Sequence, residues 1–137
     1  MPTAALVIAH GSRRKSANDD LYRLAEMIRG RGVFDHVEEA FLELAEPKIP
    51  EGAAACLAAG ATEVKFLPFF LSGGVHVGED LEEHRQRLAA ENPGVSFTLC
   101  PPLGLHELIV DLMIERSREE YALPTDAPRA YRVGEEH

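Results

Sequence analysis

The sequence has no tryptophan, only two cysteines and few aromatic residues, 7% in all. Neither cysteine sits in a CxxC: Cys56 and Cys100 are far apart. That spacing excludes the usual signatures of a structural zinc site or a disulfide framework. Long hydrophobic runs are missing too. The longest, Ala4 to Ala9 and Phe66 to Leu71, fall far short of the ~20 apolar residues a membrane-spanning helix needs. The opening Met1-Pro2-Thr3 has no basic stretch, so no secretory signal is read and a cytoplasmic protein is expected. Positive charge is the minority sign, with 14 basic against 23 acidic residues and a formal net charge of −9. General binding to nucleic acid or to an anionic membrane is therefore not expected. An anionic small molecule remains compatible, because at physiological salt the Debye length is ~8 Å and a few nearby cations outweigh distant carboxylates. Three sequence motifs are also missing, GxGxxG, GxxxxGK[ST] and GxSxG. Dinucleotide binding, ATP binding and serine hydrolysis lose their common marks.

What is present is an ordinary globular composition, 45% apolar and 27% charged over 137 residues. This is about one domain's length. Apolar runs alternate with segments of helical period. Ala4 to Ala9 reads as a buried strand, and Lys15 to Arg29 as a helix with Leu21, Leu24, Ala25 and Ile28 on one stripe. Val37 to Leu44 is a second strand, followed by an alanine-rich helix over Glu51 to Ala59. Val64 to Leu71 is a third strand, interrupted at Pro68; Ser72-Gly73-Gly74 is a loop, and Gly78 to Ala90 a charged helix. Val95 to Leu99 and Leu105 to Glu120 complete the series. Such alternation predicts an α/β protein, a four-stranded, mostly parallel sheet covered by helices on both faces. Residues 1–122 make one domain in this reading, and 123–137 a flexible tail.

Ligands of such sheets bind beyond the carboxyl ends of the strands. His10, Glu43 and His76 each fall at or just after such an end, one strand-helix unit apart. Two imidazoles and a carboxylate form a partial shell for Co²⁺, Ni²⁺, Fe²⁺ or Zn²⁺ with positions left open, which suits catalysis or transfer. Taken singly, such a residue at a strand end is more often a hydrogen-bonded core or loop residue than a ligand. Arg13, Arg14 and Lys15 stand at a predicted helix N-terminus, a place that already favours anions; they form either a carboxylate or phosphate grip or a solvated basic turn. Ser72, Gly73 and Gly74 offer backbone donors to a ligand or simply turn the chain. Asp80 lies one turn from His76 if that stretch is helical. His36 reads as part of a polar turn, His84 as part of a solvated face, and Cys56 as a small core residue. His106 is ambiguous between a packing role at the last helix and a place at the site's edge.

Four segments together carry a resemblance: Ala9-His10-Gly11-Ser12-Arg13, Phe41 to Pro47, Pro68 to Val77 and Pro102-Leu103-Gly104-Leu105-His106. In this order they resemble the short sirohydrochlorin chelatases, the CbiX and SirB group of ATP-independent class II chelatases, over about Leu6 to Arg118. The resemblance implies a chelatase-like, flavodoxin-like half-unit that pairs as a homodimer. It implies insertion of cobalt, iron or nickel into sirohydrochlorin, a polycarboxylate tetrapyrrole, in the biosynthesis of cobalamin, siroheme or a related cofactor. No cofactor is implied beyond the divalent metal substrate. His10 and His76 match the family's active-site histidines, and Glu43 matches its metal-contacting glutamate. Arg13, Arg14, Ser72, Gly73, Gly74 and Val75 are the expected macrocycle contacts, with Leu44 and Phe70 as apolar wall. Where many relatives carry an acidic-Ile-Pro turn after the second histidine, this chain has Asp80-Leu81-Glu82. Two alternatives stand beside this reading: a noncatalytic metal or tetrapyrrole carrier using the same pocket, and a phospho-transfer enzyme built on His10-Gly11. The second leaves Glu43 and His76 without a task.

Overall fold

The computed structural model describes residues 2–72 and 74–123. Strands and helices alternate as β1 (Thr3–Ala9), α1 (Lys15–Gly30), β2 (His36–Phe41), α2 (Ile49–Ala58), β3 (Glu63–Pro68), α3 (Gly74–Glu91), β4 (Ser96–Leu99) and α4 (Glu107–Arg116). All strand pairs are parallel, in the order β2-β1-β3-β4. The pattern of β1 explains its central place. Its five inner residues, Ala4 to Ile8, are all buried, as expected of a strand with cover on both faces.

Alternation along β1 divides the core in two. Ala4, Leu6 and Ile8 pack with Phe66 and Phe97 of the sheet, Ile49, Ala53 and Cys56 of α2, and Leu81 and Leu88 of α3. Ala5 and Val7 face the other way, onto Leu21 and Ala25 of α1 together with Val37 and Phe41. Each large side chain so buried contributes about 1.5–3 kcal/mol of transfer free energy. Helix α1 therefore covers one face and α2 with α3 the other. The chain steps from β1 outward to β2, then returns across β1 to β3. Between β1 and β3 the direction of winding reverses, and the loops that follow these two strands part to opposite faces. That divergence opens a crevice at the carboxyl edge.

Several boundaries differ from the sequence reading. Helix α3 begins at Gly74 rather than Gly78, so Gly74 leaves the expected loop and enters the helix at φ +70°. Strand β2 starts at His36, which pairs with Ala4 instead of sitting in a turn, and stops at Phe41 rather than Leu44. Strand β3 ends at Pro68, since a proline cannot donate to a further rung. Helix α4 is shorter than expected, and none of its residues is buried, so it does not share in covering the sheet. Gly73 and residues 124–137, where most of the expected tail falls, lie outside the described residues. No helix among the described residues is long and apolar enough to cross a membrane.

Candidate active site

His10 is the first residue beyond β1, and its neighbour across the sheet is Glu43, two residues beyond β2. The parallel ladder continues past the strands to hold them there: the Leu42 N–H donates to the Ala9 carbonyl and the Glu43 N–H to the His10 carbonyl, both at 2.9 Å. With the backbones fixed side by side, the His10 Nε2 lies 3.2 Å from the Glu43 Oε1, and the two side chains keep 49% and 58% of their surface exposed. The turn on each side of the pair is tightly determined. Gly11 has φ +101°, and a Cβ there would lie 1.8 Å from the Glu43 carbonyl oxygen. Only glycine allows the two loops to approach so closely. After Glu43 the chain bends through Leu44 at φ +66°, and the Phe41 N–H reaches back to the Pro47 carbonyl at 2.8 Å.

The loop from His10 into α1 is pinned from inside the helix. Asn18 accepts from the Ser12 N–H at 3.0 Å and donates to the Ser12 carbonyl at 2.7 Å. The Ser12 hydroxyl in turn accepts from the Arg14 N–H at 3.0 Å. Arg13 is exposed beside this turn, and Lys15 pairs with Asp19 at 2.8 Å. Helix α1 has no acidic residue in its first turn. Cations at a helix N-terminus oppose the macrodipole, so this cluster gains most when an anion sits against it.

On the other side of the crevice lies an apolar cavity of about 600 Å³. Pro68 and Leu99 at the ends of β3 and β4, Phe70 and Pro101 just beyond them, and Val77 and Leu81 of α3 form much of its wall. Ser72, Gly74 and Val75, three of the expected macrocycle contacts, also line it. Sequence reasoning missed the contribution of Leu99, Cys100, Pro101 and Pro102. Their position at and just after the end of a strand on the same edge was the available signal.

The structure brings His10 and Glu43 together but does not gather His76 with them. His76 is exposed, two residues into α3. Gly74, Val77, Gly78 and Leu81 line the cavity at helical spacing, which places His76, Glu79 and Asp80 on the opposite side of the helix. Among the described residues no three His, Cys, Asp or Glu side chains form a set that could hold a metal ion. The other titratable candidates take structural roles. The His106 Nδ1 accepts from the Leu108 N–H at 3.0 Å and so caps α4. Burial pushes the Cys56 thiol up to about 12, in keeping with a core residue. Glu82 takes both hydrogen bonds of an Arg85 fork, at 2.7 and 2.6 Å, and a third from Gln86, and these hold its carboxyl down to about 2.

A parallel half-sheet with an imidazole-carboxylate pair and an apolar cavity at one carboxyl edge defines a class of ligand-handling α/β proteins. The CbiX family matches residues 4–120, and the chain belongs to that family. It is 35% identical over 111 residues to the chloroplastic sirohydrochlorin ferrochelatase of Arabidopsis thaliana, covering 81% of this chain and 49% of that protein. It is 30% identical to the sirohydrochlorin cobaltochelatase of Methanococcoides burtonii, covering 83% of this chain and 93% of that one. The crystal structure of the sirohydrochlorin chelatase SirB from Bacillus subtilis subspecies spizizenii, in complex with cobalt, superposes with a TM-score of 0.80 at 31% identity. That match covers 86% of this chain and 50% of SirB. The chain thus spans about half the length of several curated relatives it matches.

Proposed function

We propose that this chain inserts a divalent metal, cobalt, iron or nickel, into sirohydrochlorin without ATP, as a homodimer in the cytoplasm. The observation that carries the reading is the His10–Glu43 pair, 3.2 Å apart at the edge of two parallel strands and half open to solvent. Relatives named as ferrochelatase and cobaltochelatase support it.

Insertion replaces two pyrrole N–H protons by one dication, so charge balances only if both protons leave. A neutral imidazole is suited to take one near pH 7. His10 serves as proton acceptor and metal ligand by turns, and the adjoining Glu43 carboxylate offsets the cation's charge and keeps the ring oriented. His76, the second histidine of the resemblance, is assigned the same two tasks, although it stands on the side of α3 turned away from the apolar cavity. The macrocycle lies against the apolar wall of Phe70 and Val75, with donors from Ser72 and Gly74 at the same cavity. Its peripheral carboxylates meet Arg13 and Arg14.

The test is an anaerobic absorbance assay with sirohydrochlorin in excess over protein, supplied in turn with Co²⁺, Fe²⁺ and Ni²⁺. Conversion beyond one macrocycle per chain is expected. His10→Ala and His76→Ala should each lower turnover by about 10²-fold or more, with circular dichroism unchanged because both side chains are exposed. Stoichiometric binding without turnover would instead leave a carrier.

A further inference from the structure

Helix α1 turns one stripe, Leu21, Leu24, Ala25 and Ile28, onto the sheet. One turn before Leu21 the stripe continues into Asn18, a half-buried amide and a poor helix former. Burying an amide is favourable only where it is hydrogen-bonded, and Asn18 gives both of its ends to one residue. Its Oδ1 accepts from the Ser12 N–H at 3.0 Å and its Nδ2 donates to the Ser12 carbonyl at 2.7 Å. Such a two-point contact fixes the orientation of the loop as well as its distance, two residues past His10.

Four residues further along the same face of α1, Tyr22 reaches the other loop. Its ring meets Phe41 at the end of β2, with centroids 6.0 Å apart and planes at 57°. Its hydroxyl donates to the Glu46 carbonyl at 3.3 Å, three residues past Glu43. Ala45, between them, packs on the core that α1 covers. Burial, then the Glu39 and Asp19 carboxylates, push the Tyr22 hydroxyl up from its ordinary range, so it remains a donor at neutral pH.

With half of each side chain exposed, His10 and Glu43 depend on their backbones for their separation. The rungs from Leu42 and Glu43 join the two chains along one line, but neighbouring strands rotate against each other by roughly 20–25°. A second support resists that rotation. Asn18 and Tyr22 stand ~6 Å apart along one helix axis, and each holds one loop, so the loops cannot shift against each other unless one contact opens. We propose that Asn18 and Tyr22 are positioning residues for the metal, α1 fixing the gap between imidazole and carboxylate by holding the His10 loop with one side chain and the Glu43 loop with the other. The inference rests on the metal-insertion reading in taking a divalent cation as what the pair holds.

Calorimetric titration with Co²⁺ tests it on wild type, Asn18→Ala and Tyr22→Phe, with Tyr22→Phe measured again in a Glu43→Ala background. Tyr22→Phe keeps the ring on Phe41 and removes only the hydroxyl, so its melting temperature should stay near that of wild type. Each single variant should bind Co²⁺ about tenfold more weakly, at the low end of what the partners of metal ligands contribute. In the Glu43→Ala background Tyr22→Phe should change the affinity by less than about twofold, because its effect runs through that carboxylate. Wild-type affinity in either single variant, or a loss in Tyr22→Phe just as large without Glu43, overturns the proposal. Should Asn18→Ala fail to fold, Tyr22→Phe decides alone. Turnover separates this claim from the proposed function. With sirohydrochlorin, Tyr22→Phe should lower kcat and leave KM unchanged, whereas a general loosening of the edge would raise KM as well. A wild type that binds Co²⁺ without inserting it refutes the proposed function and leaves the positioning claim to the titration. A wild type that binds no Co²⁺ overturns the positioning claim.

Discussion

Gly11 shows how one residue without a side chain positions two that have them. Its φ of +101° costs any L-residue about 1–3 kcal/mol. A Cβ at this position would lie 1.8 Å from the Glu43 carbonyl oxygen, and no rotamer change relieves that clash, because the obstacle is backbone. Gly11→Ala must therefore push apart the two rungs that hold His10 beside Glu43. The expected outcome is a lower melting temperature together with weaker Co²⁺ binding, read by thermal denaturation and metal titration. A variant with wild-type stability and wild-type affinity would show that the approach of the loops does not matter. His10 and Glu43 themselves were legible in the sequence, since strand ends in a parallel sheet share an edge. The turn at Leu44 was not. A leucine at φ +66° is imposed by the chain folding back to Pro47, and no propensity signals it.

At the scale of elements, Gly52 tests how closely α2 lies on the sheet. In a helix interior glycine costs up to ~1 kcal/mol relative to alanine, so Gly52→Ala would stabilise α2 in isolation. Here the added Cβ would meet the Leu6 side chain at 2.8 Å and the Ala40 Cβ at 2.9 Å. Overpacking of about 1–3 kcal/mol outweighs the gain, and the variant should melt at a lower temperature by calorimetry. Helix α3 offers a pH test. Burial, then the nearby Arg87, hold the His84 imidazolium below its ordinary range, while Asp80 and Glu83 act in the opposite sense. The folded chain thus binds this proton less readily than the unfolded one. The contribution is complete above the unfolded value of about 6.5 and is lost as pH falls through the lower folded value. His84→Gln should accordingly reduce the drop in melting temperature between about pH 8 and about pH 5.5. The same helix shows where periodicity stopped being informative. Its first turn is Gly74-Val75-His76-Val77, and β-branched residues beside glycine do not favour a helix. Tertiary contact decides the matter, because Val77 and Leu81 both pack toward the core. The apolar pattern of α4 gave its existence and type. Whether it covers the sheet depends on where the chain leads it after Pro101-Pro102, which no local pattern records.

For the molecule as a whole, the proposed substrate sets two electrostatic effects against each other. A net charge of −9 repels a polycarboxylate macrocycle at long range, whereas Arg13 and Arg14, beside the His10 turn, attract its carboxylates at contact. Salt weakens both, and the sign of the salt effect on KM tells which governs binding. At ~0.15 M salt the Debye length is ~8 Å, so most surface carboxylates are already screened from the site while the contact pairs are not. KM for sirohydrochlorin should therefore rise between ~0.05 and ~0.5 M salt. Arg13→Ala should start from a higher KM and rise less steeply, since one of the screened pairs is gone. Turnover at saturation should stay the same, because Arg13 holds the periphery of the ring and not the reacting nitrogens. A KM that falls with salt in both proteins would mean that long-range repulsion governs binding. An Arg13→Ala variant with unchanged KM and slope would remove this side chain from the substrate grip and place the recognition of the carboxylates elsewhere along the edge.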